Sequence, residues 1–532
     1  MNKQNIVIGG AWPYANNSLH LGHLAGLISG DILARYHRAK GDAVSYVSGT
    51  DCHGTPITER AKRENKTPKE VSEYYHSEFV ETFNKMGFSY SLYTKTETEY
   101  HSEKVQAIFK RLYDNGYIYE KIEPESFCSK CNKFLADREI QFTCPKCGSL
   151  SKADQCENCR YVPGLEDLKD GVCLECGETT IQKDNKNLYL ALSKFQDEIQ
   201  EYVNFHKNLW RLNAKNETEK YLKQGLLDRA VTRDLDWGID IPIPGYEKKK
   251  MYVWIEAVLG YVTATMKYCE DNKLNWEDFW KEGSNNKVYM CHGKDNIVFH
   301  SIIFNSLVMG QRENYKTVDM IVSSEYLNIN DDKISKSKGN GVTALQMLEQ
   351  YDADSLRYYI INNGPEKKDS NFTIENFEAT HNGEILNKFG NLVNRTLRFK
   401  GIEVLPKGEM NKDVDAEIEK LYKTTADLIE HLEFKEATER IMQFVEYSNR
   451  FYDEKRPWIQ KKEDEAGFNN TIYTCANIIA NLSNLFEPFM PFACKKIREY
   501  LGIDSPSWEK ISINSGVDLT KVEPLFNKIE KV

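Results

Sequence analysis

Nowhere in the 532 residues does an apolar run approach the ~20 residues of a membrane-spanning helix, so a helical membrane protein is not expected. The first apolar stretch, Ile6-Val7-Ile8, is too brief for the core of a secretion signal. Low-complexity linkers are absent, as is any repeat beyond paired cysteines, so a solenoid or tethered array is not expected. Positive charge is not in excess: 70 Lys and Arg face 80 Asp and Glu, a net −10. That balance argues against a basic coat, and a nucleic-acid partner would need a local positive stripe. What remains is globular composition, 40 % hydrophobic and 28 % charged. We expect a soluble, cytoplasmic chain of three or four domains, at roughly 150 residues each.

Cysteine is abundant. Eight of the 13 form four Cys-x-x-Cys pairs: Cys128/Cys131, Cys144/Cys147, Cys156/Cys159 and Cys173/Cys176. Without a secretion signal these are not expected to be disulfides. The pairing predicts two Cys₄ zinc sites of structural type. Spacing alone leaves the grouping open among sequential, interleaved and nested.

Asn5-Ile6-Val7-Ile8-Gly9-Gly10 reads as a buried strand, 18–40 as a helix, and Ala43–Ser48 as a second strand, together a βαβ unit. Helical pattern dominates 68–116. From about 120 to 185, cysteine pairs, Gly, Pro and Asp replace apolar periodicity, as in a metal-stapled insertion. The α/β pattern then resumes, with strands read at Met251–Ile255 and Lys287–Cys291 and a helix at 296–310. After about 385 only helical stripes remain, predicting a bundle.

Two motifs carry the chemistry. His20-Leu21-Gly22-His23 opens a helix just after a strand. A helix N-terminus attracts anions, and Gly22 lets a flat base approach the backbone. Lys333-Ile334-Ser335-Lys336-Ser337-Lys338-Gly339 supplies cationic charge on small, pliant residues, which suits a phosphoryl transition state.

In this order and separation the two motifs resemble the signatures of the class I aminoacyl-tRNA synthetases. Ala11-Trp12-Pro13-Tyr14-Ala15-Asn16, Asp51-Cys52-His53-Gly54-Thr55-Pro56, Tyr252-Val253-Trp254, Gly260-Tyr261 and Gly293-Lys294-Asp295 through Phe299-His300 resemble the methionyl enzymes of that class. The resemblance implies a Rossmann-type parallel-sheet α/β catalytic domain split by a zinc-knuckle insertion. An all-α anticodon-binding helix bundle is expected to follow. The expected divisions are 1–115 and 236–325 for the two catalytic halves, 116–235 for the insertion, 326–385 for the signature-loop and stem-contact region, and 386–532 for the bundle.

It further implies activation of L-methionine by ATP with Mg²⁺, and transfer to methionine tRNA, elongator and initiator. His20, His23, Lys333 and Lys336 would be catalytic. ATP would meet His20, His23, Gly293, Asp295, Ile297 and Lys336. The methionine pocket would comprise Ala11, Trp12, Tyr14, Asp51, Trp254, Ala257, Tyr261, Phe299 and His300, with Arg233 as partner of Asp51. Trp12, Glu256 and Val258 depart from residues expected in many relatives, so the pocket wall is expected to differ. The resemblance also implies nested zinc sites, Cys144, Cys147, Cys156 and Cys159 inside Cys128, Cys131, Cys173 and Cys176. Asn391, Arg395 and Trp458 match anticodon-reading positions, where stacking and base-edge bonds recognise single-stranded RNA. The insertion is too short for a hydrolytic editing domain, which disfavours leucine, isoleucine and valine as substrates. A monomer without membrane contact is expected.

Overall fold

Strands β1 (Asn5–Gly10), β2 (Ala43–Thr50), β3 (Leu92–Lys95), β4 (Asn286–Gly293) and β5 (Met320–Ser324) form one parallel sheet in the order β5-β4-β1-β2-β3. β1, β2 and β4 are buried almost throughout, which is why they read as continuous apolar runs rather than alternating ones. The strand order reverses between β1 and β4. In open sheets of this kind that reversal opens a crevice at the carboxyl ends of the strands.

The computed structural model describes residues 3–135, 139–153, 156, 158–159, 161, 163–329 and 342–530. Lys333 and Lys336 of the second motif lie outside the described residues. No helix among the described residues is long and apolar enough to cross a membrane.

Helix α1 (Leu21–Ala39) crosses from β1 to β2 and is buried along most of its length. One sequence expectation is corrected here. Met251–Ile255 is not a strand: only Lys250–Met251 is extended, and a 20-residue helix runs over Val253–Asn272. That helix is buried nearly all round between the sheet and its neighbours, so its apolar run carries no amphipathic period to distinguish it from a strand.

The insertion is an antiparallel arm. Ile118–Cys128 pairs with Ile181–Leu190 from Ile118↔Leu190 to Phe127↔Ile181. Its root shares a core with the sheet through Ile118, Leu188 and Leu190 against Val7, Val105 and Phe109. Its tip has a much smaller core, mainly Leu135, Ile140, Phe142, Ala153 and Leu168 around the buried cysteines.

Helices Lys412–Glu430, Phe434–Lys455, Glu465–Leu485 and Pro491–Leu501 form the helical end. It is not a separate body: its apolar residues run continuously into the α1 face of the sheet. A buried ion pair ties the two. Arg357 donates to Asp31 of α1 at 2.6 Å and to the carbonyls of Pro488 at 2.9 Å and Phe489 at 3.1 Å. Both charged side chains are wholly shielded from solvent, and Arg35 adds a second bond to Asp31 at 2.9 Å. Burial pushes the Asp31 pKa up, but the two guanidiniums prevail and hold it well below the usual carboxylate range.

Candidate active site

The crevice at the β1 and β4 ends is lined by Ala11–Pro13, His20, Gly22, His23, Gly26, Gly293, Asp295 and the turn 324–327, and encloses about 270 Å³. His20 does not lie within the helix; it caps it. Its Nδ1 accepts from the Gly22 N–H at 3.1 Å, and His23 Nδ1 accepts from the His20 N–H at 3.1 Å. The rings sit 3.8 Å apart. Because each Nδ1 accepts, the neutral imidazoles carry their protons on Nε2. Gly26 admits close approach of α1 to β4: an added Cβ would stand 3.4 Å from the Gly293 nitrogen. Asp295 is exposed at the rim and accepts from the Tyr326 hydroxyl. Ile297 is buried below it.

Beside the crevice lies an aromatic cluster. Trp254 stacks face to face with Phe299 at 4.1 Å and meets the edge of Tyr14 at 5.9 Å. Phe299 and His300 stand on a π-turn, Phe299–Ile303, inside the helical stretch after β4. Such turns recur at functional sites because they re-aim successive side chains. His300 donates from Nδ1 to the Asn296 carbonyl at 2.8 Å, so its Nε2 accepts from the Tyr261 hydroxyl at 2.7 Å. Burial pushes the His300 pKa down to about 4, leaving the ring neutral near pH 7. The structure therefore gathers Ala11, Trp12, Tyr14, Trp254, Ala257, Tyr261, Phe299 and His300 on elements that meet at the β1 and β4 ends.

Trp12 occupies a slot made by two glycines. A Cβ on Gly260 would come within 2.5 Å of its indole, and one on Gly49 within 2.4 Å. His101 stacks on the same indole at 6.0 Å, and the edge of Tyr261 meets it at 6.4 Å. Asp51 is buried, its backbone bridged to the Tyr14 segment by Asp51 N–H to Pro13 O and Ala15 N–H to Asp51 O, both 2.9 Å. Burial and the nearby Glu256 carboxylate push its pKa up. Arg233 makes no ion pair with Asp51 among the described residues. It stacks on Tyr252 at 4.3 Å and donates to the Ala230 and Thr232 carbonyls.

Sequence reasoning passed over the pair beneath Asp51, in which His53 Nδ1 lies 2.8 Å from the fully buried Glu256 carboxylate. Glu256 stood out only as a departure, and nothing in the spacing of two residues so far apart signals contact.

The eight paired cysteines form two groups, Cys128, Cys131, Cys173, Cys176 and Cys144, Cys147, Cys156, Cys159, the sulfurs of each within 4.8 Å of one another. This is the nested arrangement. Close sulfur–sulfur distances are 3.4 Å for Cys128···Cys176, 3.9 Å for Cys131···Cys173, 3.6 Å for Cys144···Cys159 and 3.5 Å for Cys147···Cys156. A tetrahedron with metal–sulfur bonds of about 2.3 Å requires sulfurs about 3.8 Å apart, while a disulfide requires about 2.05 Å. The residues fit a metal and not a disulfide. Hydrogen bonds from the Ser149 and Ser151 hydroxyls hold the Cys156 thiol down to about 5.

At the helical end, Trp458 is 48 % exposed and lies 6.3 Å from Tyr452. Arg395 stacks over the same Tyr452 at 4.1 Å and is held by Asp453 at 2.8 Å and the Asn449 carbonyl at 2.7 Å. Asn391 is exposed at the start of the same helix, Asn391–Leu397.

A family model described as "tRNA synthetases class I (M)" matches residues 6–397, and one described as "Anticodon binding domain of methionyl tRNA ligase" matches residues 404–531. The parallel sheet and its histidine-capped helix thus define a class I tRNA synthetase. Methionine–tRNA ligase 1 of Alkaliphilus oremlandii is 46 % identical over 531 residues, covering 99 % of this chain and 98 % of that one. Methionine–tRNA ligase of Bacillus mycoides is 45 % identical over 534 residues, covering 99 % and 97 %. The chain belongs to the methionine–tRNA ligase family. Its fold also matches a solved Mycobacterium tuberculosis methionyl-tRNA synthetase in complex with methionyl-adenylate, with a TM-score of 0.80 at 20 % identity over 98 % of this chain and 99 % of that one.

Proposed function

We propose that this chain is a working methionine–tRNA ligase, activating L-methionine with ATP and transferring it to the 3′ end of elongator and initiator methionine tRNA. One observation carries the reading: full-length identity to ligases of that name coincides with a histidine-capped nucleotide crevice opening onto an aromatic pocket.

Activation needs no protein nucleophile. The methionine carboxylate attacks the α-phosphate, an acyl–phosphate bond forms, and diphosphate leaves with the electrons of the broken P–O bond. The protein orients the reactants and stabilises charge. His20 and His23 present Nε2–H groups to phosphate oxygens, while Lys333 and Lys336 cover the leaving diphosphate. Asp295 and Gly293 hold the ribose and Ile297 flanks the adenine. Tyr14, Trp254 and Phe299 wall the thioether, whose polarizable sulfur suits aromatic rings. Neutral His300, by accepting from Tyr261, points the phenol oxygen into the pocket without adding charge. Buried Asp51 takes the substrate ammonium, an opposite charge that offsets its cost of burial. Magnesium would enter as part of the ATP substrate. The two Cys₄ groups would hold zinc, which would order the tip of the arm.

The domain division at 115, 235, 325 and 385, a cytoplasmic location and a monomeric state belong to the same reading. ATP–diphosphate exchange across the twenty amino acids tests it, followed by charging of methionine tRNA. Methionine should dominate the panel, and Lys336→Ala should cut exchange at least tenfold with the fold intact. Exchange with another amino acid, or with none, overturns the reading.

A further inference from the structure

Two buried carboxyls share one imidazole behind the amino-acid pocket. His53 Nδ1 lies 2.8 Å from a Glu256 carboxyl oxygen, and the His53 backbone N–H reaches Asp51 Oδ1 at 3.5 Å. Glu256 is wholly buried and Asp51 nearly so. No lysine, arginine or histidine side chain pairs with Asp51 among the described residues. The one imidazole at hand is committed to Glu256.

The pair joins two parts of the site. Glu256 stands on the helix Val253–Asn272 between Trp254 and Ala257, which belong to the proposed methionine pocket. His53 ends the turn that carries Asp51. The middle of that turn is pinned from two sides: the Cys52 N–H donates to Thr96 Oγ1 at 3.0 Å, and the Cys52 carbonyl accepts from the Trp237 indole at 2.6 Å. As a source of stability alone the pair is poorly built. Glu256 Oε2 has no hydrogen-bond partner among the described residues, and a half-satisfied buried carboxylate is costly. Apolar replacement of a buried pair is often neutral or stabilising.

We propose that His53 and Glu256 are positioning residues of the amino-acid site, which aim the Asp51 carboxyl and make its proton the one that the substrate ammonium displaces. The inference rests on the function proposed above and deepens its amino-acid half. Like charges in a buried space oppose each other's ionisation. Burial pushes the Glu256 pKa up and His53 pulls it back, whereas burial and Glu256 both push that of Asp51 up. Asp51 therefore keeps its proton until a cation arrives. The Asp51 O–H bond then breaks, its electron pair stays on the carboxylate, and the proton passes to solvent. The ammonium N–H groups donate to the freed oxygens.

The surrounding groups hold their charge fixed. Tyr14, Tyr252, Tyr261 and the Cys52 thiol face Asp51, and burial pushes the pKa of each up, so all stay neutral. His101 faces His53, and burial pushes its pKa down to about 3. Lys95 and Glu97, paired at 3.4 Å, stand on the Cys52 side, and Arg233 lies over Tyr252.

Calorimetric titration of methionine into the ATP-free protein, in phosphate and in Tris, reads affinity and protons released together. The unaltered protein should release protons on binding, fewer as pH rises. Glu256→Gln keeps a partner for His53 and loses the charge, so its release should fade at lower pH. Where the unaltered protein releases half a proton, this variant should release at most half of that. A merely structural pair leaves the curve in place. His53→Leu/Glu256→Met should melt no lower than the unaltered protein. Its methionine KM in exchange should rise about tenfold or more with the ATP KM within about twofold, as for the loss of one well-aimed ionic hydrogen bond. An unshifted proton curve in Glu256→Gln overturns the proposal, as does an equal rise of both KM values in the double variant. If the unaltered protein binds methionine without releasing a proton, this proposal alone falls; if it binds no methionine, the functional reading falls with it.

Discussion

Gly260→Ala is the sharpest probe of the pocket wall. The new methyl carbon would fall 2.5, 2.8 and 2.9 Å from three carbons of the Trp12 indole. Ordinary carbon contacts begin near 3.5 Å, so the ring must give way by roughly 1 Å. It has little room to do so. A Cβ on Gly49 would likewise fall 2.4 Å from the ring, and His101 and Tyr261 pack against it as well. Alanine in a helix interior is worth about 1 kcal/mol over glycine, which partly offsets the clash. Overpacking of a buried ring costs about 1–3 kcal/mol, and confinement of the indole puts this clash at about 1.7–3, so the net penalty is about 0.7–2 kcal/mol. The displacement left to the indole is toward the crevice that it lines with Ala11 and Pro13, beside the proposed methionine pocket. The expected result is a methionine KM in exchange raised about 3–30-fold, with the ATP KM unchanged, from 0.7–2 kcal/mol at 1.4 kcal/mol per decade. Trp12→Leu in the same chain should relieve the clash and recover part of the loss, a non-additive pair. A methionine KM within twofold of the unaltered protein in Gly260→Ala, at unchanged melting temperature, would refute the slot argument.

Arg357→Met should lower the melting temperature steeply, because it removes one of the two guanidiniums that neutralise buried Asp31. Breaking such a pair costs about 3–5 kcal/mol, or about 6–20 °C at 2–4 °C per kcal/mol. The same pair predicts acid sensitivity. The Asp31 pKa is lowered in the fold, so its contribution is fully present above its unfolded value of about 3.9 and is lost as pH falls further. Asp31→Asn should flatten that acid limb in thermal melts; an identical limb refutes the assignment. The purified chain should carry two zinc ions by elemental analysis, and Cys156→Ser one; retention of both argues against the inner group. Trp458→Ala should raise the methionine-tRNA KM about 5–150-fold, matching about 1–3 kcal/mol per stacked base, without altering exchange. An unchanged tRNA KM would make Trp458 an ordinary surface residue.

The sequence by itself determined whatever short-range chemistry dictates. A glycine-ended apolar run specified β1, the run Lys287–Cys291 specified most of β4, and His20 to His23 marked a helix start, because capping is decided within four residues. The cysteine pairs announced groups that could hold a metal, because two thiolates three positions apart can share an ion. Three-dimensional packing decided the rest. The nested grouping followed from the hairpin Ile118–Cys128 with Ile181–Leu190, which brings Cys128 beside Cys176. The run beginning at Val253 is a helix enclosed over most of its length, a condition that removes the periodicity by which helices are read. Glu256 met His53, Arg357 met Asp31, and two distant glycines opened one slot for Trp12. Each of these depends on segments far apart in the chain arriving at one place, and no local propensity encodes that meeting.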